Sequence, residues 1–432
     1  MHAARRVGVA LLAAMALPVQ AGIRIEQWTT QSGARAYFVE THALPIVDVS
    51  VEFAAGGAYD PRERAGLGQL TLTLLKGGSA RYSETEVDRR IADAGAQLHD
   101  NFDLDRAGYA LRTLSSEAEF NLAVDTLADM LQAPRFAPDI FEREKARAVA
   151  NAAEAETQPD HVAEKRLYAL MYPSHPYGLT ATPATLATIT RDDVERHYRT
   201  LYGAAGAAVA IVGDLSLDAA KALAELLTSR LAKGEQAAIP PAAPPGPGQT
   251  VRVAFPSTQS HVLLGEAALA RDDPDYFPLL VGNYILGGGG FASRLMTEVR
   301  SRHGLAYSVY SYFYPYAQRG PLQIGLQTRR DQADEALKRV QDVIGEFIAK
   351  GPTQRELEAA KKSLVGGFPL RIDTNRKLLE QLAVIAFYRL APDWLDTYPL
   401  RLQAVTLDQV RAAFARRVDP GKLAVVVVGA PN

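Results

Sequence analysis

The sequence predicts an α+β protein: two homologous α/β-sandwich domains, each a mixed sheet packed with helices, joined by a proline-rich linker and facing one another as a clam-shell. Three observations predict it. Each half opens on strand-like alternation, passes through several helices and closes on a short β run. The halves repeat one another at a fixed offset. Between them lies a segment too rich in proline for either kind of element.

The first half begins with alternation over 36–53 and the second over 251–264; their closing runs are 208–212 and 423–428. TRDDVERHYRTLYGAAGAAVAIVG (190–213) aligns without a gap on TLDQVRAAFARRVDPGKLAVVVVG (406–429), an offset of 216, with seven of 24 positions identical. The same offset carries Val124, Leu127 and Leu131 onto Val340, Val343 and Phe347, an apolar stripe at helical spacing. It also carries Glu142 and Lys145 onto Glu358 and Lys361. Agreement over this span indicates duplication. In the second half, a long helix is expected to start at Thr353, whose spacing to Glu356 after Pro352 is that of a capping box. The linker, GEQAAIPPAAPPGPGQ at 234–249, holds Pro240, Pro241, Pro244, Pro245 and Pro247, a density that gives a semi-rigid extended chain. The expected domains are therefore 22–233 and 250–432.

The chain has 432 residues, 47% hydrophobic and 22% charged, an ordinary globular composition that fits about two or three domains with cores of their own. A net charge of −2 speaks against a broad electrostatic footprint for nucleic acid. The lack of cysteine excludes disulfides, thiol catalysis and Cys-ligated zinc or iron–sulfur sites, leaving eight histidines for metal or acid–base work.

Residues 1–21 have the order of a secretory signal peptide: Arg5 and Arg6, an apolar run from Val7 to Leu17, then Val19, Gln20 and Ala21. The run is too short to span a bilayer, and no later stretch approaches about 18 unbroken apolar residues. Cleavage near Ala21 removes both arginines and takes the mature chain from −2 to −4. A cysteine-free exported chain suits an oxidising compartment, so the expected location is the periplasm.

Several motifs stand out: AAGGAYDPRERAGLGQLTLTLLKGGS at 54–79, residues 95–101 ahead of a strand, FEREK at 141–145, HPYG at 175–178, VGD at 212–214 and LGGGGFASRLMTEVRSRHGLAYSVYS at 286–311. Through them nearly the whole mature chain resembles the insulinase/pitrilysin family, the inverted-motif zinc peptidases. Active members carry H-x-x-E-H on a helix in the first motif, two imidazoles for zinc and a glutamate as general base on one helical face. The matching positions here are Gln69, Leu72 and Thr73. An amide is a poor zinc ligand, leucine takes no proton, and threonine offers only a weak hydroxyl. The family's third ligand, a glutamate farther along, aligns near Ala150 or Asn151. The resemblance therefore implies a degenerate zinc site, with no metal or other cofactor on this chain.

One other cluster has ligand-type side chains: His99, Asp100, Asp103 and Asp105. On a strand, 99, 103 and 105 would share a face, and a solvated strand face is the favoured reading. His42, His161, His175, His197, His261 and His303 lie singly, as structural histidines do.

The last motif is complete. By resemblance, Arg300 and Tyr307 bind the substrate backbone and hydrogen-bond the oxyanion of the tetrahedral intermediate, reaching across to a zinc-bearing half. Donors aimed at developing charge in a dry cleft contribute about 2.7–4 kcal/mol each. Arg300 is expected in the last turn of a helix, Gly304 as its cap, and Tyr307 on the following strand. A plainer reading is also open: Arg300, Arg302 and His303 suit a helix C-terminus, and Tyr307 belongs with Tyr310, Tyr312 and Tyr314 to a tyrosine-rich strand. Gly287, Gly288, Gly289 and Gly290 lack the spacing of a dinucleotide or P-loop site. The resemblance implies a substrate-binding loop at the chamber; the residues alone fit a helix break equally well.

A lost zinc site beside a retained Arg/Tyr pair resembles one member of a two-chain peptidase. The sequence thus points to the metal-free subunit of a periplasmic zinc endopeptidase heterodimer, inactive alone and acting on peptides. Zinc would sit on a homologous H-x-x-E-H partner subunit. The alternative is a non-catalytic peptide-binding or scaffold protein derived from the same family, against which the intact Arg300 and Tyr307 speak. A self-sufficient hydrolase finds no support, since neither G-x-S-x-G nor H-E-x-x-H occurs.

Overall fold

The computed structural model describes residues 22–234 and 237–429; the expected leader at 1–21 lies outside them. The first half holds β1 (Glu26–Thr29), β2 (Arg35–Glu40), β3 (Ile46–Phe53), β4 (Gln97–Phe102), β5 (Ala107–Leu114) and β6 (Ala208–Gly213). The second holds β7 (Thr250–Val253), β8 (Gln259–Leu269), β9 (Val309–Phe313), β10 (Gly320–Arg329) and β11 (Ala424–Val428). The alternation expected as one run at the start of each half is thus a pair of strands, β2 with β3 and β7 with β8.

The first sheet runs β1-β2-β6-β3-β5-β4 and the second β7-β11-β8-β10-β9. Apart from β1, the two orders correspond strand for strand, and each contains one parallel pair, β2 with β6 and β7 with β11. The repeat in the sequence is therefore a repeat of topology. Thr190 and Thr406, where the alignment starts, both cap helices through capping boxes, as Thr353 also does. The apolar stripes of Val124, Leu127 and Leu131 and of Val340, Val343 and Phe347 are buried.

β6 (AVAIVG) and β11 (AVVVV) are buried along their whole length, because both faces of each sheet are covered. One cover is exchanged between the halves. The helix Pro159–Met171 lies on the second sheet, where Ala163, Leu167 and Met171 pack with Leu263, Ala267 and Val426. The helix Asn375–Tyr388 lies on the first, where Leu382, Ile385 and Ala386 pack with Tyr37, Ala210 and Val212. The offset of 216 relates these two helices as well. Each half completes the sandwich of the other.

Asp105 joins the halves. Its buried carboxylate accepts hydrogen bonds from Tyr177 (2.6 Å), Tyr388 (2.7 Å) and the Ala317 backbone N–H (2.7 Å). β4 ends at Phe102, so Asp103 and Asp105 belong to the β4–β5 turn and do not share a strand face with His99, contrary to the expectation. Among the described residues, no group of three or more His, Asp or Glu side chains is arranged to hold an ion.

Prolines 240–247 and Glu266 of β8 line a cavity of about 260 Å³. Glu266 is 1% exposed, and its carboxylate accepts one hydrogen bond, from the Asp419 N–H at 2.9 Å. Burial pushes its carboxyl up from 4.5 to about 8, opposed by the Asp419 N–H it accepts from and by Lys422, while the Asp419 charge adds to the rise. Folding therefore takes up a proton between these values. The stability tied to the neutral form is full below pH 4.5 and is lost as pH rises towards 8. Relative to the wild type, Glu266→Gln is expected to gain on the order of 3 kcal/mol in urea unfolding between about pH 5 and pH 8. An equal wild-type-to-variant difference at both pH values would contradict this.

Candidate functional site

The helix Leu67–Leu75 begins at Gly66, whose N–H and that of Gly68 donate to the buried Asp60 carboxylate, each at 2.7 Å. Burial pushes Asp60 up to about 7, opposed by these backbone donors. Gln69 and Thr73 line a cleft of about 430 Å³ with Glu144, Arg147, Ala148 and Asn151 from the helix Pro138–Ala155. Asn151, and not Ala150, is thus the residue facing the zinc-site positions. Leu72 does not join them: it is fully buried in the first half's core, because a leucine beside the rim of a cleft gains by turning inward. The expected three-residue face is split.

A zinc ion does not fit what is left. The cleft offers two amides and a hydroxyl, and the Thr73 hydroxyl donates to the Gln69 carbonyl at 3.0 Å. Its one carboxylate, Glu144, is paired with Arg143 at 2.8 Å and Arg147 at 3.8 Å. Among the described residues, no imidazole lines it. Elsewhere, His197 is buried and driven down to about 4 by desolvation, and His175 accepts from the Tyr177 N–H at 3.1 Å. His42 is exposed and sits between Asp214 (2.6 Å) and Glu40 (2.8 Å).

Arg300 and Tyr307 come together. Arg300 lies near the end of a widened π-helical turn, Met296–Arg302, anchored by the buried Met296 and Val299. Gly304, at φ +63°, ends that turn: its N–H donates to the Arg300 carbonyl (2.9 Å), and the next, Leu305, donates to Val299 (2.9 Å). Tyr307 lies in the bend two residues before β9, not on the strand as expected. That bend leaves its ring 83% exposed, with the Arg300 guanidinium 4.7 Å from the ring centroid. The neighbouring charges are spoken for. Arg302 pairs with Glu298 (2.5 Å), and His303 bonds the Glu298 carbonyl (2.7 Å). The Arg300 side chain makes no hydrogen bond or ion pair among the described residues. The helix-terminus reading therefore suits Arg302 and His303 better than Arg300.

The four glycines end a helix and pack it on β9. A Cβ on Gly287 would stand 2.4 Å from the Ser311 hydroxyl and 2.7 Å from its backbone nitrogen. Asn283 and Ser311 lock the same contact, the Asn283 amide donating to the Ser311 carbonyl (3.0 Å) and the Ser311 hydroxyl donating back (2.6 Å). Gly290 alone has free space around it, at φ +57°. It delivers Phe291, which sequence reasoning missed, to within 4.7 Å of the Arg300 guanidinium. The signal was present: a phenylalanine directly after a glycine run, in the motif that holds Arg300.

Comparison with known proteins fits this geometry. Two family descriptions match in tandem, insulinase (peptidase family M16) over residues 35–183 and peptidase M16 inactive domain over residues 188–364. A Helicobacter pylori protein named "Non-peptidase homolog YmxG" is 25% identical over 428 residues, 97% of each chain. A Bacillus subtilis protein named "Uncharacterized zinc protease YmxG" is 26% identical over 82% of this chain and 86% of its own. A solved Pseudomonas fluorescens structure, described as a peptidase M16 inactive domain, superposes with a TM-score of 0.91 at 34% identity, covering 95% of this chain and 98% of that one. With such identity over nearly the whole of both chains, the chain belongs to the insulinase family of peptidases, M16.

Proposed function

We propose that this chain is the metal-free subunit of a two-chain periplasmic zinc endopeptidase. It contributes Arg300 and Tyr307 in trans, the guanidinium to the substrate backbone and the phenol to the oxyanion that develops on the scissile carbonyl. The observation that carries the reading is a pairing of opposites. The cleft at Gln69, Thr73 and Asn151 has no imidazole among the described residues and its carboxylate, Glu144, is held by Arg143 and Arg147, while Arg300 and Tyr307 stand together and unspent at the surface. A side chain with no hydrogen bond or ion pair among the described residues is available to a ligand. Zinc, carried by the homologous H-x-x-E-H partner, would supply the Lewis acid. The order of residues 1–21 supports export, and among the described residues no helix is long and apolar enough to cross a membrane.

The names of two relatives, "non-peptidase homolog" and "inactive domain", support a chain without catalysis of its own. They equally suit the alternative, a peptide-binding scaffold. Native mass spectrometry with metal analysis, on the chain affinity-purified from its own source extract, separates the two. A co-purifying homologue of similar size with one zinc per pair is the expected result. The chain alone and metal-free would favour the scaffold, and zinc on the lone chain would overturn both readings.

A further inference from the structure

Two rings flank the Arg300 guanidinium, and among the described residues no polar group holds it. Its carbon lies 4.7 Å from the ring centroid of Tyr307 and 4.7 Å from that of Phe291. Both rings are largely in solvent, Phe291 at 71% exposure and Tyr307 at 83%. Phenylalanine gains nothing from water, so its place needs a cause. A tight turn, Gly290–Ala292, imposes it. The buried Ser293 closes that turn, its N–H (3.0 Å) and hydroxyl (2.7 Å) both donating to the Gly290 carbonyl. Behind it, Arg294 forks onto Glu356 with two bonds of 2.7 Å and fixes the start of the Arg300 turn to the helix Gln354–Gly367. The ring is thus held out by a rigid frame.

We propose that Phe291 is a positioning residue for Arg300. Its ring engages the face of the guanidinium and limits the rotamers of a long side chain, leaving the in-plane N–H groups free for the carbonyls of an extended peptide. Gly290 is the residue that lets the chain turn to deliver it. This inference rests on the assignment of Arg300 and Tyr307 above.

The test uses the assembled two-chain complex, built with the full mature chain, and a quenched-fluorescent peptide that the complex cleaves. Phe291→Leu keeps an apolar side chain and removes the ring. It is expected to lower kcat/KM about two- to five-fold, chiefly through KM, the size of one exposed cation–π contact. Phe291→Tyr, which keeps the ring, is expected to restore the wild-type value. Equal activity of Phe291→Leu and wild type, or an equal loss in both variants, would overturn the proposal. So would loss of complex in native mass spectra with normal turnover of what remains, since Phe291 would then be a subunit contact. Tyr307→Phe in the same assay separates the two claims. If it slows turnover while Phe291→Leu does not, only the positioning role fails. If neither does, or if no two-chain complex forms, the reading of the pair fails and this inference fails with it.

Discussion

Tyr307→Phe is expected to lower kcat of the assembled enzyme by about 10²- to 10³-fold while leaving assembly intact. The substitution removes one hydroxyl and nothing else. The ring that lies 4.7 Å from the Arg300 guanidinium stays, so the position of Arg300 is kept. At 83% exposure the side chain supports no core, and the fold should change in stability by less than about 0.5 kcal/mol. A loss of that size in kcat, with normal complex yield and little change in KM, is the signature of a donor used only as charge develops. Arg300→Lys keeps the charge but loses the planar fork, and should raise KM as well. Normal turnover by Tyr307→Phe would remove the catalytic claim and leave a binding protein.

What the sequence made legible was whatever depends on local order. The offset of 216 revealed a duplicated topology because equivalent strands and caps keep their spacing. The emptied zinc positions could be read because their chemistry lies in residue type alone. Placement was harder. Leu72 shares a helix with Gln69 and Thr73, but its side chain follows the core, and only packing decides that. His99 does lie on β4, but Tyr307, Asp103 and Asp105 were expected on strands that do not reach them, since the last paired residue depends on the neighbouring strand. The exchanged helices were hidden for a similar reason. An apolar face at helical spacing says that a sheet covers it, without saying which one. Phe291 was overlooked because a lone aromatic beside glycines is ordinary until the guanidinium next to it is seen.

Asp105→Ala is expected to destabilise the mature chain by about 2–4 kcal/mol in urea unfolding, from a buried phenol, a half-buried one and the Ala317 N–H left without an acceptor. The case rests on where those donors come from. Tyr177 lies in the first half and is fully buried, and Tyr388 ends the exchanged helix Asn375–Tyr388 of the second half. Both point at one carboxylate, at 2.6 and 2.7 Å. The loss should fall on the junction between halves that positions the surface carrying Arg300. Since each half covers the other's sheet, the halves should still unfold in one transition. Tyr388→Phe tells a specific bond from general damage. Alone it should cost about 1 kcal/mol; in the Asp105→Ala background it should cost almost nothing, because the hydroxyl it removes has already lost its acceptor. Additive losses would mean that Asp105 and Tyr388 stabilise the protein independently, and the junction would then be held by its apolar contacts instead.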